Sequence, residues 1–213
     1  MPAPELIASG RASEIFDLGD DRILRRFKDG GNAQREAFVM EHAARHGYPV
    51  PRVIDVSDDA LVLERIEGRT MLADVARRPW RLRGYAPVLA DLHNRLHEIP
   101  APAGLPPIGT GDRLVHLDLH PENVMLSPAG PVVIDWTNAR RGEAALDVAL
   151  TWVILATTGG VPGRIFLRSF LPQFDEAEVR RALPAAGAYR LDDPNVTERE
   201  RRAVGRLLDP RDA

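Results

Sequence analysis

The 213-residue chain carries 28 Lys and Arg against 31 Asp and Glu, a net charge of −3, with 44% hydrophobic and 28% charged residues. That balance is ordinary for a globular protein and lacks the basic excess of a nucleic-acid binder. There is no cysteine, which excludes disulfide scaffolds and cysteine-ligated zinc.

The opening "MPAPELIASGRAS" has no basic region followed by an apolar core, so no signal peptide is expected. "EIFDLG" and "DRILRRF" read as short strands joined by a Gly-Asp-Asp hairpin turn. "AQREAFVMEHAARHG" follows as a helix with Glu36, Val39, Met40 and Ala43 on one face and Gly47 as its stop. "RVIDV" and "ALVLERI" are two more strands, split by a polar turn. From residue 71 the pattern turns helical through "MLADVARRPWRLRGYAPVLADLHNRLHEI", and "PAPAGLPPIG" reads as a stiff connector. "GPVVIDWTNA" is a short apolar strand ending in a carboxylate, and helices are expected from about Glu143 onward. The longest apolar run, near "ALDVALTWVILATTGGV", holds Asp147 and is about 14 residues, too short to span a bilayer. The expectation is a cytoplasmic protein without a membrane partner. A β-rich part followed by a helical part points to two lobes rather than an interleaved sheet.

"VHLDLHPENVML" carries the chemistry. As a strand it would place His116, Asp118 and His120 on one face, and those residues could also hold zinc. The spacing His116-x-Asp118-Leu119-x-x-x-Asn123 also reproduces the kinase catalytic loop. There an aspartate orients the attacking hydroxyl, and an asparagine five residues on holds magnesium against phosphates. Asp135 in "VVIDW", twelve residues beyond Asn123, stands where a second magnesium carboxylate belongs. These two further residues favour the kinase loop over strand or zinc site.

"HLDLHPENVML" followed by "VVIDWTNA" resembles the aminoglycoside phosphotransferase/choline kinase-like superfamily, whose members carry His-Gly-Asp-x-His-x-x-Asn and then Ile-Asp-Trp or Ile-Asp-Phe. "REAFVMEHAARHGYPVPRVI", "LVLERIEG", "LADLHNRLHEI" and "GEAALDVAL" are similar to further segments of the family, in the same order, over roughly residues 5 to 155. The resemblance implies an α+β, two-lobed protein-kinase-like fold. Residues 1–68 would form a small antiparallel N-lobe with one helix, and 69–213 a mainly helical C-lobe with the catalytic loop.

Site roles follow from the same resemblance. Asp118 would be the catalytic base or orient the hydroxyl, and Asn123 and Asp135 would carry Mg2+. His116 would brace the loop, His120 would be structural or face the substrate, and Asp147 would tie the loop to the next helix. "IASGRAS" stands where a phosphate-covering loop belongs; with Gly10 as its one glycine, the small residues Ser9, Ala12 and Ser13 would let backbone amides approach phosphate. Arg25 in "RILR" takes the place of the lysine in Val-Ala-Ile-Lys, sharing a strand face with Ile23. Arg26 points the other way and Lys28, the only lysine of the chain, lies close in sequence to Glu36. Glu36 is the expected partner of Arg25, with Glu41 as the alternative. Backbone groups from Glu64 to Ile66 would take adenine.

The sequence departs from the family at Leu117, which stands where glycine is usual, and in the 18 residues between His97 and His116, where the family has a longer helical insertion. Residues 141–213 hold 11 acidic and 11 arginine residues, which gives no sign of an acidic pocket for polycations. The leading expectation is ATP- and Mg2+-dependent transfer of a γ-phosphate to a hydroxyl of a small molecule: antibiotic, amino alcohol or sugar-like. The alternative is a nucleotide-binding regulator without turnover. A protein kinase is disfavoured, because Asp135 to Asp147 leaves too little chain for an activation segment. The terminal "TERERRAVGRLL" helix packs either on its own chain or on a partner, so a homodimer is an open expectation.

Overall fold

A computed structural model describes residues 4–10, 13–28 and 32–209. Ala12 of the expected phosphate loop lies outside them. In chain order come β1 (Glu5–Ser9), β2 (Ser13–Gly19), β3 (Arg22–Phe27), α1 (Ala33–Arg45), β4 (Val53–Val56), β5 (Ala60–Glu64) and β6 (Arg69–Thr70). Then follow α2 (Met71–Arg77), α3 (Leu82–His97), β7 (Arg113–Val115), β8 (Val124–Ser127), β9 (Gly130–Val133) and β10 (Arg140–Gly142). Four helices complete it: α4 (Ala144–Thr158), α5 (Gly160–Phe170), α6 (Glu176–Asp192) and α7 (Glu198–Leu207). Two compact units result, Met1–Thr70 with Val124–Ala139, and Met71–Asn123 with Arg140–Ala213.

That division differs from a split into 1–68 and 69–213. Residues Val124–Ala139 group with the first unit because β8 pairs with β6, Arg69 opposite Leu126, and Val133 N–H donates to Pro49 O at 2.8 Å.

The first unit is built on an antiparallel sheet in the order β1-β2-β3-β5-β4. The β2–β3 turn is made by Asp20 and Asp21, both at positive φ (49° and 56°). That is the backbone a two-residue hairpin wants and that aspartate tolerates. Helix α1 starts where Asn32 Oδ1 accepts from Arg35 N at 2.8 Å and stops at Gly47, φ +74°. Its buried stripe, Ala33, Glu36, Ala37, Val39, Met40 and Ala43, fits the 3.6-residue period, and it packs against β4 and β5. Tyr48 meets Trp136 edge-on at 5.6 Å in the same core. Gly68 is obligatory: at φ +129° a Cβ would lie 2.1 Å from Leu126 O.

The second unit is helical around α4. This helix is buried nearly all round, from Leu146 through Leu155, and lies against α3, α5, α6 and α7. The helical run from residue 71 is made of two helices. Arg78, preceding Pro79, sits at φ −135°, ψ 69°, and breaks the chain into α2 and α3. The "PAPAGLPPIG" segment is not a free connector: Ala101 N donates to Asp112 O and Ile108 N to Arg141 O, binding it to the neighbourhood of β7 and β10. No described helix is long and apolar enough to cross a membrane.

Candidate active site

Within the first unit, strand alternation turns Arg25 of β3 inward, leaving it 6% exposed. Arg25 Nη1 donates to Glu36 Oε1 at 2.5 Å, Nη2 to Asp135 Oδ1 at 2.7 Å and Thr137 Oγ1 at 3.1 Å, and Nε to Ser13 Oγ at 3.2 Å. Glu36, 2% exposed, also accepts from Trp136 N at 3.2 Å and Thr137 Oγ1 at 2.9 Å. Burial works against the Arg25 charge, but Glu36 and Asp135 outweigh it and hold the guanidinium above its ordinary pKa. Burial likewise pushes the Glu36 carboxyl up, opposed by Arg25. A charge so buried needs such a partner.

The structure thereby sorts the three cations. Arg26 lies on the other face, over the Phe16 ring at 4.9 Å. Lys28 Nζ donates to Ser9 Oγ and Gly10 O, each at 2.9 Å. Gly10 N–H in turn donates to Ser13 O at 2.9 Å, closing the β1–β2 connection. Glu41, the alternative partner for Arg25, does not figure in this network. Asp135 lies two residues past β9 in a left-handed backbone, φ +64°, with its side chain 42% exposed. Thr137 was not anticipated; it follows the Asp-Trp pair, and only the fold reveals that its hydroxyl faces Arg25.

Glu64 and Ile66 line a cavity of about 370 Å³ with Asp21, Val50, Ser127 and Val132. The Glu64 and Arg65 amides are committed to Arg52 O at 3.0 Å and Asp21 O at 2.8 Å. Among the described residues, no hydrogen bond engages the Ile66 peptide.

In the second unit residues 116–120 do not form a strand. Strand β7 ends at Val115, and Leu117 takes φ +61°, so the alternation that would align His116, Asp118 and His120 is broken. That positive φ is why glycine suits this position in the family pattern. The zinc reading of those three residues falls with it: His93, His97 and Asp147 are the His/Asp group with metal-ligating proximity among the described residues.

The turn Pro121–Asn123 brings Asn123 back onto Asp118. Asn123 Nδ2 donates to Asp118 O at 2.8 Å and to Asp118 Oδ2 at 3.0 Å, while His120 Nε2 lies 3.3 Å from Asp118 Oδ1. Asp118 keeps 25% side-chain exposure. Its carboxylate is thus aimed by two neighbours yet open to a ligand.

Beneath the loop, Asp147 stands in the first turn of α4, fully buried. Oδ1 accepts from Leu117 N at 2.7 Å and Oδ2 from His116 N at 3.1 Å, and His97 Nε2 lies 3.0 Å from Oδ2. Burial alone would raise this carboxyl; the His97 hydrogen bond and the nearby His93 and His116 rings hold it well below the usual range. His116 is itself buried. His93 and His97, one turn apart on α3, and Tyr189 on α6 were not anticipated as parts of this site. Burial raises the Tyr189 hydroxyl, opposed by Arg140 and reinforced by Asp118. The "LADLHNRLHEI" segment offered the histidines, but nothing in their i, i+4 spacing identified Asp147, fifty residues on, as their partner.

Known proteins share this architecture. A thermostable mutant of aminoglycoside phosphotransferase APH(4)-Ia, solved as a ternary complex with AMP-PNP and hygromycin B, is 17% identical with a TM-score of 0.69, covering 96% of this chain and 91% of that one. A choline/ethanolamine kinase family protein from Mesorhizobium loti is 17% identical with a TM-score of 0.61, covering 99% and 90%. These likenesses show a kinase-like fold. A thiamine kinase of Salmonella paratyphi B is 39% identical over 54 residues, 25% of this chain; the match spans only 17% of that protein's length. The profile of the phosphotransferase enzyme family matches residues 4–114 and 102–191, and the chain belongs to that family.

Proposed function

We propose that the protein moves the γ-phosphate of ATP to a hydroxyl of a small molecule, with Mg2+ as its cofactor. The observation that carries this reading is Asp118: a part-exposed carboxylate aimed by Asn123 and His120 and anchored through its loop to buried Asp147. Such a group can orient an acceptor hydroxyl and take its proton. The hydroxyl oxygen forms a bond to the γ-phosphorus, the bond from that phosphorus to the bridging oxygen of ADP breaks, and the hydroxyl proton passes to Asp118.

The oxygen donors suit Mg2+. Asn123 spends its amide nitrogen on Asp118, which would leave Oδ1 as its donor atom, and Asp135 would offer a carboxylate. When bound, the ion offsets charge on the phosphates. Arg25 uses four of its five N–H groups on Ser13, Glu36, Asp135 and Thr137, so one Nη1 hydrogen remains for a phosphate oxygen. Ser9, Gly10 and Ser13 form the connection that would cover the phosphates, and the Ile66 peptide would meet the adenine beside Glu64. The solved relative holding AMP-PNP and hygromycin B, and the kinase names of the others, support an alcohol-bearing acceptor such as an antibiotic, an amino alcohol or a sugar-like compound. A reaction drawing on ATP would suit a cytoplasmic setting.

The test is nucleotide titration with and without Mg2+, followed by ADP release across a panel of such alcohols. Acceptor-dependent ADP release, requiring Mg2+, supports the reading. Nucleotide binding with no turnover on any acceptor would instead favour a regulator.

A further inference from the structure

Beneath the catalytic loop, His93, His97 and Asp147 each offer one ligand atom, and the three atoms lie within 4.8 Å of one another. Asp147 Oδ2 is 3.0 Å from His97 Nε2 and 3.7 Å from His93 Nδ1. Neighbouring ligands of a tetrahedral zinc ion are separated by about 3.4 Å, given bonds of about 2.1 Å. The two spacings to Asp147 bracket that value.

His93 supplies the second observation. It is fully buried, and its Nδ1 has no hydrogen-bond partner among the described residues. The 3.7 Å gap to Asp147 is too long for a hydrogen bond. The opposite nitrogen, Nε2, lies 3.3 Å from Leu119 O and 3.1 Å from Thr151 Oγ1. A proton on Nε2 donated to Leu119 O leaves a lone pair on Nδ1, directed toward a carboxylate oxygen. Two buried acceptors facing each other call for a cation between them. The arrangement is that of a metal-ligating histidine, whose other nitrogen donates to a backbone carbonyl.

We infer that His93 Nδ1, His97 Nε2 and Asp147 Oδ2 form a structural binding site for a zinc-class divalent ion. Two imidazoles and a carboxylate suit zinc rather than Mg2+, which prefers oxygen ligands and bound water. On binding, His97 gives up any Nε2 proton to solvent, while Asp147 keeps the Leu117 and His116 amides. The ion joins α3 to α4 and holds the catalytic loop from both ends, through Asp147 to residues 116 and 117 and through His93 to Leu119 O. Its role is separate from the phosphate-side Mg2+ and independent of which acceptor is phosphorylated.

The experiment uses full-length protein stripped with a chelator and titrated with Zn2+ by calorimetry and thermal melting, without nucleotide. One equivalent bound, with Tm rising by several degrees until that equivalent is reached, is the expected result. His97→Ala, at the edge of the site with 8% side-chain exposure, weakens binding at least tenfold, while His46→Ala on the solvent side leaves it unchanged. Should His97→Ala fail to fold, Co2+ added to the wild-type protein gives intense visible bands of tetrahedral coordination. No saturable Zn2+ binding, binding equally tight in His97→Ala, or only the weak bands of octahedral Co2+ would overturn the inference.

Discussion

The Leu117 amide donates a 2.7 Å hydrogen bond to Asp147 Oδ1 from a left-handed backbone, φ +61°. A bulky residue in that region costs about 1–3 kcal/mol, and here the buried carboxylate holds it there. The strain has a distinctive signature. Leu117→Ala loses the buried side chain, 2% exposed, and keeps the strained backbone, at about 2–5 kcal/mol. Leu117→Gly loses the same side chain but relaxes the backbone. Urea denaturation is therefore expected to rank Gly about 1 kcal/mol more stable than Ala, the reverse of their usual order. Alanine more stable than glycine would mean that the left-handed turn is not held.

Arg25 and Glu36 form a nearly dry ion pair, and removing either charge strands the other. Arg25→Met is expected to destabilise the fold by about 3–5 kcal/mol. The double change Arg25→Met with Glu36→Met recovers most of that loss, because it removes both buried charges together. Chemical denaturation of the two variants measures the difference. Nucleotide affinity tells the other half: the double variant folds but binds ATP weakly, since no cation replaces Arg25. Additive losses in the double variant would contradict the pairing.

Burial pushes the His93 ring down to about 3 from an ordinary 6.5. In the metal-free protein, only the unfolded chain takes up this proton between those values, so the contribution is fully present above about pH 6.5 and is lost as pH falls toward 3. The loss from pH 7 to pH 5 is about 2 kcal/mol. Asp147, held below the ordinary carboxylate range, contributes above that range and is lost only at lower pH, so it leaves this window unchanged. Urea melts of chelator-treated protein at pH 5, 6 and 7 read the slope, and His93→Gln flattens it. An equal slope in wild type and His93→Gln would contradict the assignment.

Much of this arrangement was legible in the chain because it is local or periodic. The inward turn of Arg25 follows from two-residue alternation, and the buried stripe of α1 with Glu36 in it follows from the 3.6-residue period. Asp118 and Asn123 meet because five residues with Pro121 make one tight turn. What escaped depends on distant pairing or on backbone handedness. Leucine carries no signal for positive φ, so within residues 115–120 nothing marks the turn at Leu117, and it is Asn123 and Asp135 that set the loop apart from a strand. The short strands β6, β7, β8 and β10 bury too little to pattern a sequence, and the first exists only because β8 returns to it. The histidines of α3 show helical spacing alone; Asp147, their partner, lies beyond any local window. The break before α3 was readable from Pro79, and a continuous helical pattern around it masked the signal.

Transfer of labelled γ-phosphate from ATP to an alcohol acceptor, compared between wild type and Asp118→Asn, tests the proposed chemistry most directly. Asn keeps the size and the contact with Asn123 but cannot take a proton. Transfer is expected to fall by about 10²–10⁴-fold, with nucleotide affinity and Tm close to wild type. Undiminished transfer by Asp118→Asn would contradict the role given to Asp118 and the phosphotransfer mechanism built on it.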